Sequence, residues 1–94
     1  MNQLRLLPGV VEGIRSLPPE LKRKIRAAID EIRIHPASGK ALEEDLEGYR
    51  SRKVGSWRVL FREIPEGAEI VAFGPRETIY QDMARIVARR RFPD

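Results

Sequence analysis

Five basic side chains fall between Tyr49 and Arg62, near the middle of the chain. No acidic residue lies in that window, so its charge is not neutralised locally. Pooled cations attract phosphate groups, and the planar guanidinium of arginine can bind two phosphate oxygens at once. The window therefore indicates a surface for nucleic acid. Its cations are Arg50, Arg52, Lys53, Arg58 and Arg62.

The spacing of these cations decides whether they can act together. Residues two apart on a β-strand share a face, so Arg50 pairs with Arg52 on one strand, and Arg58 with Arg62 on the next. Arg76 directly follows a third strand. We predict that these arginines converge on one surface of the sheet, where concentrated charge binds phosphates. The alternative is that they are ordinary solvated strand residues.

Other residue types narrow the chemistry. The chain has no cysteine and one histidine, which excludes a thiol nucleophile, cysteine–zinc sites and a ribonuclease built on two histidines. That residue, His35, precedes a proline at a helix end and is expected to cap the helix or lie on the surface. Carboxylates without metal-ligand spacing predict no metal site, and scattered glycines predict no phosphate loop. We therefore expect no metal and no cofactor.

Three aromatic residues are candidates for either the core or the site. Trp57 and Phe61 lie on a predicted strand and are expected in the core. Tyr80 follows Arg76 by four residues, in the first turn of a predicted helix. It either packs that helix against the sheet edge, or it stacks on a base or holds a scissile phosphate.

The composition indicates one small basic domain. The chain has 94 residues, of which 41% are hydrophobic and 34% charged, and its net charge is +4. These values predict a single globular domain over 1–94 and favour a polyanionic partner. No apolar run approaches the ~18 residues that a bilayer span needs, and the first residues lack a signal-peptide core. We expect a cytoplasmic protein without a membrane partner.

Hydrophobic periodicity and turn residues predict the elements that position these side chains. Apolar residues at helical spacing, bounded by prolines, predict two consecutive helices that form a hairpin. Gly55-Ser56 is a plausible two-residue loop between two strands of an antiparallel meander. Apolar neighbours on the strands predict that both sheet faces are at least partly covered. The predicted strands are 2–7, 49–53, 57–64 and 68–73, and the predicted helices are 9–16, 19–34 and 77–90, with a connection over 36–47.

In this order the segments resemble the RelE/ParE toxins. One matching stretch runs from Gly48 to Arg62, with a tyrosine and basic residues, a glycine turn, an aromatic, an arginine and an apolar strand. The second runs from Ile70 through Gly74 to Arg76, with Tyr80 shortly after. The resemblance covers nearly the whole chain. It implies an α+β fold with a short N-terminal strand, a helical hairpin on the meander and a short C-terminal helix.

The resemblance also implies partners and an activity. Such toxins are made with a cognate antitoxin, and promoter DNA is bound only through the antitoxin complex. Many members cleave mRNA in the ribosomal A site, whereas the ParE-like members poison DNA gyrase and lack nuclease residues. An antitoxin helix could pack beside the last helix or displace it.

The resemblance assigns roles to individual residues. Arg58 and Arg76 match the family's phosphate-facing arginines, and Tyr80 matches its functional tyrosine. The nuclease members often carry lysines where this chain has Arg50 and Arg52, and arginine is a poor general base because it essentially never loses its proton. Lys53 is a candidate proton acceptor, although a regular strand would turn it away from Arg52.

The predicted function is therefore that of a metal-independent, ribosome-dependent mRNA endonuclease that inhibits translation. A gyrase inhibitor that acts by binding and a degenerate, non-toxic nucleic-acid-binding protein are the alternatives.

Overall fold

The fold combines three helices with a five-stranded sheet. It is given by a computed structural model that describes residues 2–91. The predicted domain over 1–94 thus includes four positions outside the described residues. The elements are β1 (Gln3–Leu6), α1 (Pro8–Arg15), α2 (Pro19–Ile34), β2 (Lys40–Ala41), a 3₁₀ turn (Glu44–Leu46), β3 (Arg50–Val54), β4 (Trp57–Ile64), β5 (Gly67–Pro75) and α3 (Arg76–Arg91).

Prolines fix the ends of the helical hairpin. Pro8 and Pro19 each occupy a first helical position, where the missing N–H costs no hydrogen bond. Pro36 keeps His35 out of helical geometry, so α2 ends at Ile34 and the His35 N–H donates to Glu31 O at 2.9 Å. The predicted helix over 19–34 and the capping position of His35 are confirmed.

The sheet is mixed, in the order β1-β5-β4-β3-β2. Strands β3, β4 and β5 form the predicted antiparallel meander, whereas β1 pairs with β5 in parallel. Strand β2 adds two residues beyond β3, within the predicted connection. The sequence signals an antiparallel meander only, because neither the direction of β1 nor a two-residue strand leaves a periodic pattern.

Apolar layers cover both faces of the sheet, as predicted. On one face the hairpin helices pack against β4, with Ile25 and Ile32 on α2 and with Val59 and Phe61 on β4, all fully buried. Trp57 is half-buried on this face and stacks on the Phe73 ring with centroids 5.9 Å apart. The other face packs against α3 through Leu60, Ile79, Met83 and Val87. Within residues 2–91, no helix has the length and apolar character that a membrane span requires.

Candidate functional site

The β3–β4 turn sets the register of the candidate site. Gly55 has a φ of 60°, which glycine adopts without the steric cost that a Cβ brings. The two-residue loop places Val54 opposite Trp57, and therefore Lys53 opposite Arg58. Opposed residues of an antiparallel pair project from the same face, so Lys53 and Arg58 lie side by side on the α3 face.

The same turn holds two arginines in place. The Arg58 guanidinium donates through Nη1 to the carbonyl oxygens of Gly55 at 3.0 Å and Trp57 at 2.8 Å. The Arg76 backbone N–H donates to Ser56 O at 2.9 Å and thereby ties the start of α3 to the turn. Because carbonyl oxygens carry no net charge, Arg58 is oriented without being neutralised.

A cleft of about 670 Å³ opens between the turn, the start of α3 and β2. Five cations line it. Arg52 pairs with Glu31, whereas the other four have no carboxylate within 4.0 Å among the described residues. Tyr80, half-buried one turn after Arg76, completes the wall. We call this site the cationic cleft, and its lining contains no acidic residue. It is lined by Gly39, Lys40, Leu42, Ser51, Arg52, Lys53, Arg58, Arg76 and Tyr80.

Two predicted strand arginines do not share the sheet face of Arg58. Arg50 lies opposite Phe61 and Arg52 opposite Val59, so both project from the hairpin face. Arg50 donates to Ser38 O at 2.7 Å, and the Arg52 guanidinium pairs with a carboxylate of α2. The predicted convergence is wrong for Arg50, whereas Arg52 projects from the hairpin face and still contributes to the lining of the cationic cleft. The reason is the register, because the turn places Lys53, and not its neighbours, opposite Arg58.

Arg62 projects from the same face as Arg58, as predicted, but lies outside the cationic cleft. Its Nε donates to Glu69 at 2.7 Å, and the Arg90 Nη2 lies 2.9 Å from the same carboxylate oxygen. Glu69 is 1% exposed. Burial raises the pKa of Glu69. The hydrogen bonds and positive charges of Arg62 and Arg90 lower it by more, so the pKa lies below its ordinary value. Arg62 therefore serves a structural ion pair that joins β4, β5 and α3.

Sequence reasoning missed one member of the cationic cleft and oriented another correctly. Lys40 lies on β2, a strand too short to show alternation. Lys53 was expected to turn away from Arg52, and the register confirms this, because Lys53 lies opposite Arg58 whereas Arg52 lies opposite Val59. Among residues 2–91, no group of three or more histidine or carboxylate side chains could hold a metal ion.

A helical hairpin on a mixed five-stranded sheet, with an acid-free cationic cleft beside the β3–β4 turn, defines a small toxin domain of the RelE-like fold. The family model described as the ParE toxin of the type II toxin–antitoxin system, parDE, matches residues 12–80. The chain therefore belongs to this family, within the RelE/ParE toxins.

A solved structure and a curated protein show further similarity. The toxin–antitoxin complex RelBE2 from Mycobacterium tuberculosis contains a chain with 26% identity and a TM-score of 0.58; the match covers 79% of this chain and 90% of that one. The small ribosomal subunit protein uS5 from Roseobacter denitrificans is 32% identical over 72 residues, 77% of this chain. The chain spans 32% of the length of uS5, so that likeness concerns a segment and assigns no function.

Proposed function

We propose that this type II toxin cleaves mRNA on the ribosome without a metal ion, and that a cognate antitoxin restrains it. The observation that supports the cleavage is the cationic cleft, where Lys40, Lys53, Arg58 and Arg76 have no acidic neighbour in the lining. Such a site attracts a polyanion. Its unpaired cations can then stabilise the negative charge of a bound phosphate group. The antitoxin is proposed because RelBE2, with a similar fold, is a toxin–antitoxin complex.

The cleavage breaks one phosphodiester bond. The ribose 2′-oxygen attacks the adjacent phosphorus and loses its proton, and the bond from phosphorus to the 5′-oxygen of the next nucleotide breaks. A 2′,3′-cyclic phosphate and a 5′-hydroxyl result. The reaction therefore needs a proton acceptor, a proton donor and positive charge near the phosphoryl oxygens.

Arg58 and Arg76 supply the positive charge. Arg58 is already oriented by two carbonyl oxygens, so little reorganisation is needed when the phosphate gains charge in the transition state. Arg76 is exposed at the start of α3, across the cationic cleft from β3. A planar guanidinium can contact two phosphoryl oxygens at once.

Lys53 takes the role of proton acceptor. Of the cations in the cationic cleft, only Lys40 and Lys53 can lose a proton, because arginine remains charged. Lys53 lies beside Arg58 in the β-ladder and thus next to the proposed phosphate position. Tyr80 stacks on a base or orients the nucleotide through its hydroxyl group.

Primer extension on mRNA bound to purified ribosomes tests the proposal. Wild-type toxin is expected to cut within A-site codons, and Arg76→Ala is expected to lose the cuts. Arg85→Ala is the matched control, because Arg85 lies on α3 but pairs with Asp82 outside the cationic cleft. Undiminished cutting by Arg76→Ala would remove Arg76 from the mechanism.

A second candidate function is inhibition of DNA gyrase by binding. The description of the matched family model names a ParE toxin and parDE, and this observation favours gyrase inhibition. A supercoiling assay with purified gyrase distinguishes the two functions. Intact ribosome-bound mRNA together with blocked supercoiling would transfer the assignment to gyrase. Normal growth after induction of soluble toxin would instead indicate a non-toxic nucleic-acid-binding protein.

A further inference from the structure

We propose that Lys40 is the proton donor of the cleavage and protonates the 5′-oxygen as that oxygen leaves. This inference rests on the proposed mRNA cleavage, in which the phosphate charge and the proton acceptor are assigned but the proton donor is not. A donor must hold a transferable proton, lie within reach of the scissile phosphate, and lie across that phosphate from the acceptor. Lys40 meets these three requirements.

Few groups in the lining of the cationic cleft can give a proton to the substrate. An ammonium group carries three N–H donors, whereas a guanidinium group holds its protons too tightly to release one. The Ser51 hydroxyl is no stronger an acid than the ribose alcohol that leaves. Lys53 is the proposed acceptor, and Tyr80 packs beside the apolar layer beneath α3 and is assigned to a nucleotide. Lys40 is the group that remains.

The β-ladder places Lys40 close to Lys53 without making the two direct neighbours. Lys40 lies opposite Ser51 on β3, and Ser51 and Lys53, two residues apart, share the α3 face. Lys40 and Lys53 are thus diagonal neighbours, a relation in which residues lie about 7–8 Å apart and long side chains reach one another.

This separation suits an acceptor and a donor that act on one phosphate. In an in-line displacement the attacking and leaving oxygens lie on opposite sides of phosphorus, so the two proton-transfer groups must flank the phosphate. Ser51 lies between the two lysines and is 6% exposed. Its short side chain leaves the space above it to the phosphate, while the longer lysine side chains rise on either side.

Strand β2 is two residues long, yet its backbone is held firmly just before Lys40. The Arg50 guanidinium donates to Ser38 O at 2.7 Å and to Gly39 O at 3.4 Å. Gly39 has a φ of 79°, and a Cβ at this position would lie 2.5 Å from Ser51 O, so glycine permits the close approach of β2 to β3. These contacts fix the backbone from which the Lys40 side chain extends, as a positioned catalytic group requires.

The proton transfers balance over one cleavage. Lys53 accepts the proton of the 2′-hydroxyl group as the 2′-oxygen bonds to phosphorus. The bond from phosphorus to the 5′-oxygen breaks, its electron pair passes to that oxygen, and Lys40 Nζ supplies the proton that completes the 5′-hydroxyl group. Lys40 is then neutral and Lys53 is charged. Exchange with water restores both, because both side chains are exposed.

A substrate whose leaving group needs no proton tests the assignment in single-turnover cleavage of ribosome-bound mRNA. Sulfur in place of the bridging 5′-oxygen leaves as a thiolate, which forms readily because thiols have a pKa of about 8.5. Lys40→Met is expected to cleave ordinary mRNA about 10²- to 10⁴-fold more slowly than the wild type, yet to cleave the sulfur-substituted mRNA at close to the wild-type rate. Lys40→Arg should do the same, although it keeps the charge. Lys24→Met, outside the cationic cleft, is the matched control and should cleave both substrates like the wild type.

The other outcomes overturn the assignment. Equal losses on the two substrates would mean that Lys40 acts by binding or by charge. Recovery of Lys53→Met or Tyr80→Phe on the sulfur-substituted mRNA, without recovery of Lys40→Met, would transfer the role of donor to that residue. If wild-type toxin left both ribosome-bound mRNAs intact, the proposed nuclease itself would be wrong, so this failure is distinguishable from a failure of Lys40 alone.

Discussion

Replacing Lys53 by arginine separates its charge from its ability to accept a proton. Lys53 is exposed on a strand and lies opposite Arg58, so arginine fits the position and keeps the cationic cleft at the same net charge. A positioned general base contributes about 10²- to 10⁴-fold to a rate, equivalent to roughly 3–5 kcal/mol of transition-state stabilisation. Lys53→Arg should therefore lose cleavage by that factor, and Lys53→Met should lose at least as much because the charge disappears too.

The assay is single-turnover cleavage of ribosome-bound mRNA at saturating toxin, which removes differences in binding from the measured rate. Lys24→Arg, an equally exposed change on α2, is the control and should cleave at the wild-type rate. Thermal unfolding should be the same for all variants. If Lys53→Arg cleaved within a few-fold of wild type while Lys53→Met was inactive, Lys53 would act by charge alone and the proton acceptor would lie elsewhere.

Three further predictions concern stability. Glu69→Gln should lower the free energy of unfolding by about 2 kcal/mol, because a buried carboxylate that accepts charged hydrogen bonds is lost; urea titration measures it, and an unchanged midpoint would contradict it. The pKa of Glu69 in the folded protein lies below its ordinary value of 4.5. The contribution of Glu69 to the free energy of unfolding is therefore fully present above pH 4.5 and is lost as the pH falls below it. The wild type should thus lose more stability in acid than Glu69→Gln does. Gly67→Ala should destabilise the fold by roughly 2 kcal/mol or more, because its Cβ would lie 2.0 Å from Gln3 O and Gly67 has a φ of 155°; Gly9→Ala, with no atom within 4 Å of its Cβ, should not.

The helices and the meander were predictable because local signals determine them. Pro19 and Pro36 bound α2, and the strand over 57–64 is bounded by the turns on either side. The parallel direction of β1 was not predictable, because Gln3–Leu6 gains its partner Gly67–Ile70 from a distant segment. Long-range pairing of a four-residue strand leaves no periodic trace in the sequence.

The candidate site was predictable to the extent that the sequence assigned each residue to a face. Arg58, Arg76 and Tyr80 do line one cleft. The error came from comparing strands without a register: alternation placed Arg50 and Arg52 together correctly, but it could not say which face of β4 they join. Lys40 could not be found, because the position of β2 depends on its pairing with Ser51 and Arg50.

Register, rather than composition, determines which cation reaches the cationic cleft, and exchanging two neighbours tests this directly. The double variant Arg52→Lys/Lys53→Arg keeps the amino-acid content and the net charge, yet it moves the lysine opposite Val59, onto the hairpin face. Lysine at position 52 can still pair with Glu31, so the contact between β3 and α2 is retained. The exchange should therefore preserve thermal stability while reducing single-turnover cleavage as strongly as Lys53→Arg does. Wild-type cleavage by the exchanged protein would mean that a lysine on either face supports the reaction, and the role proposed for the Gly55-Ser56 turn would then be wrong.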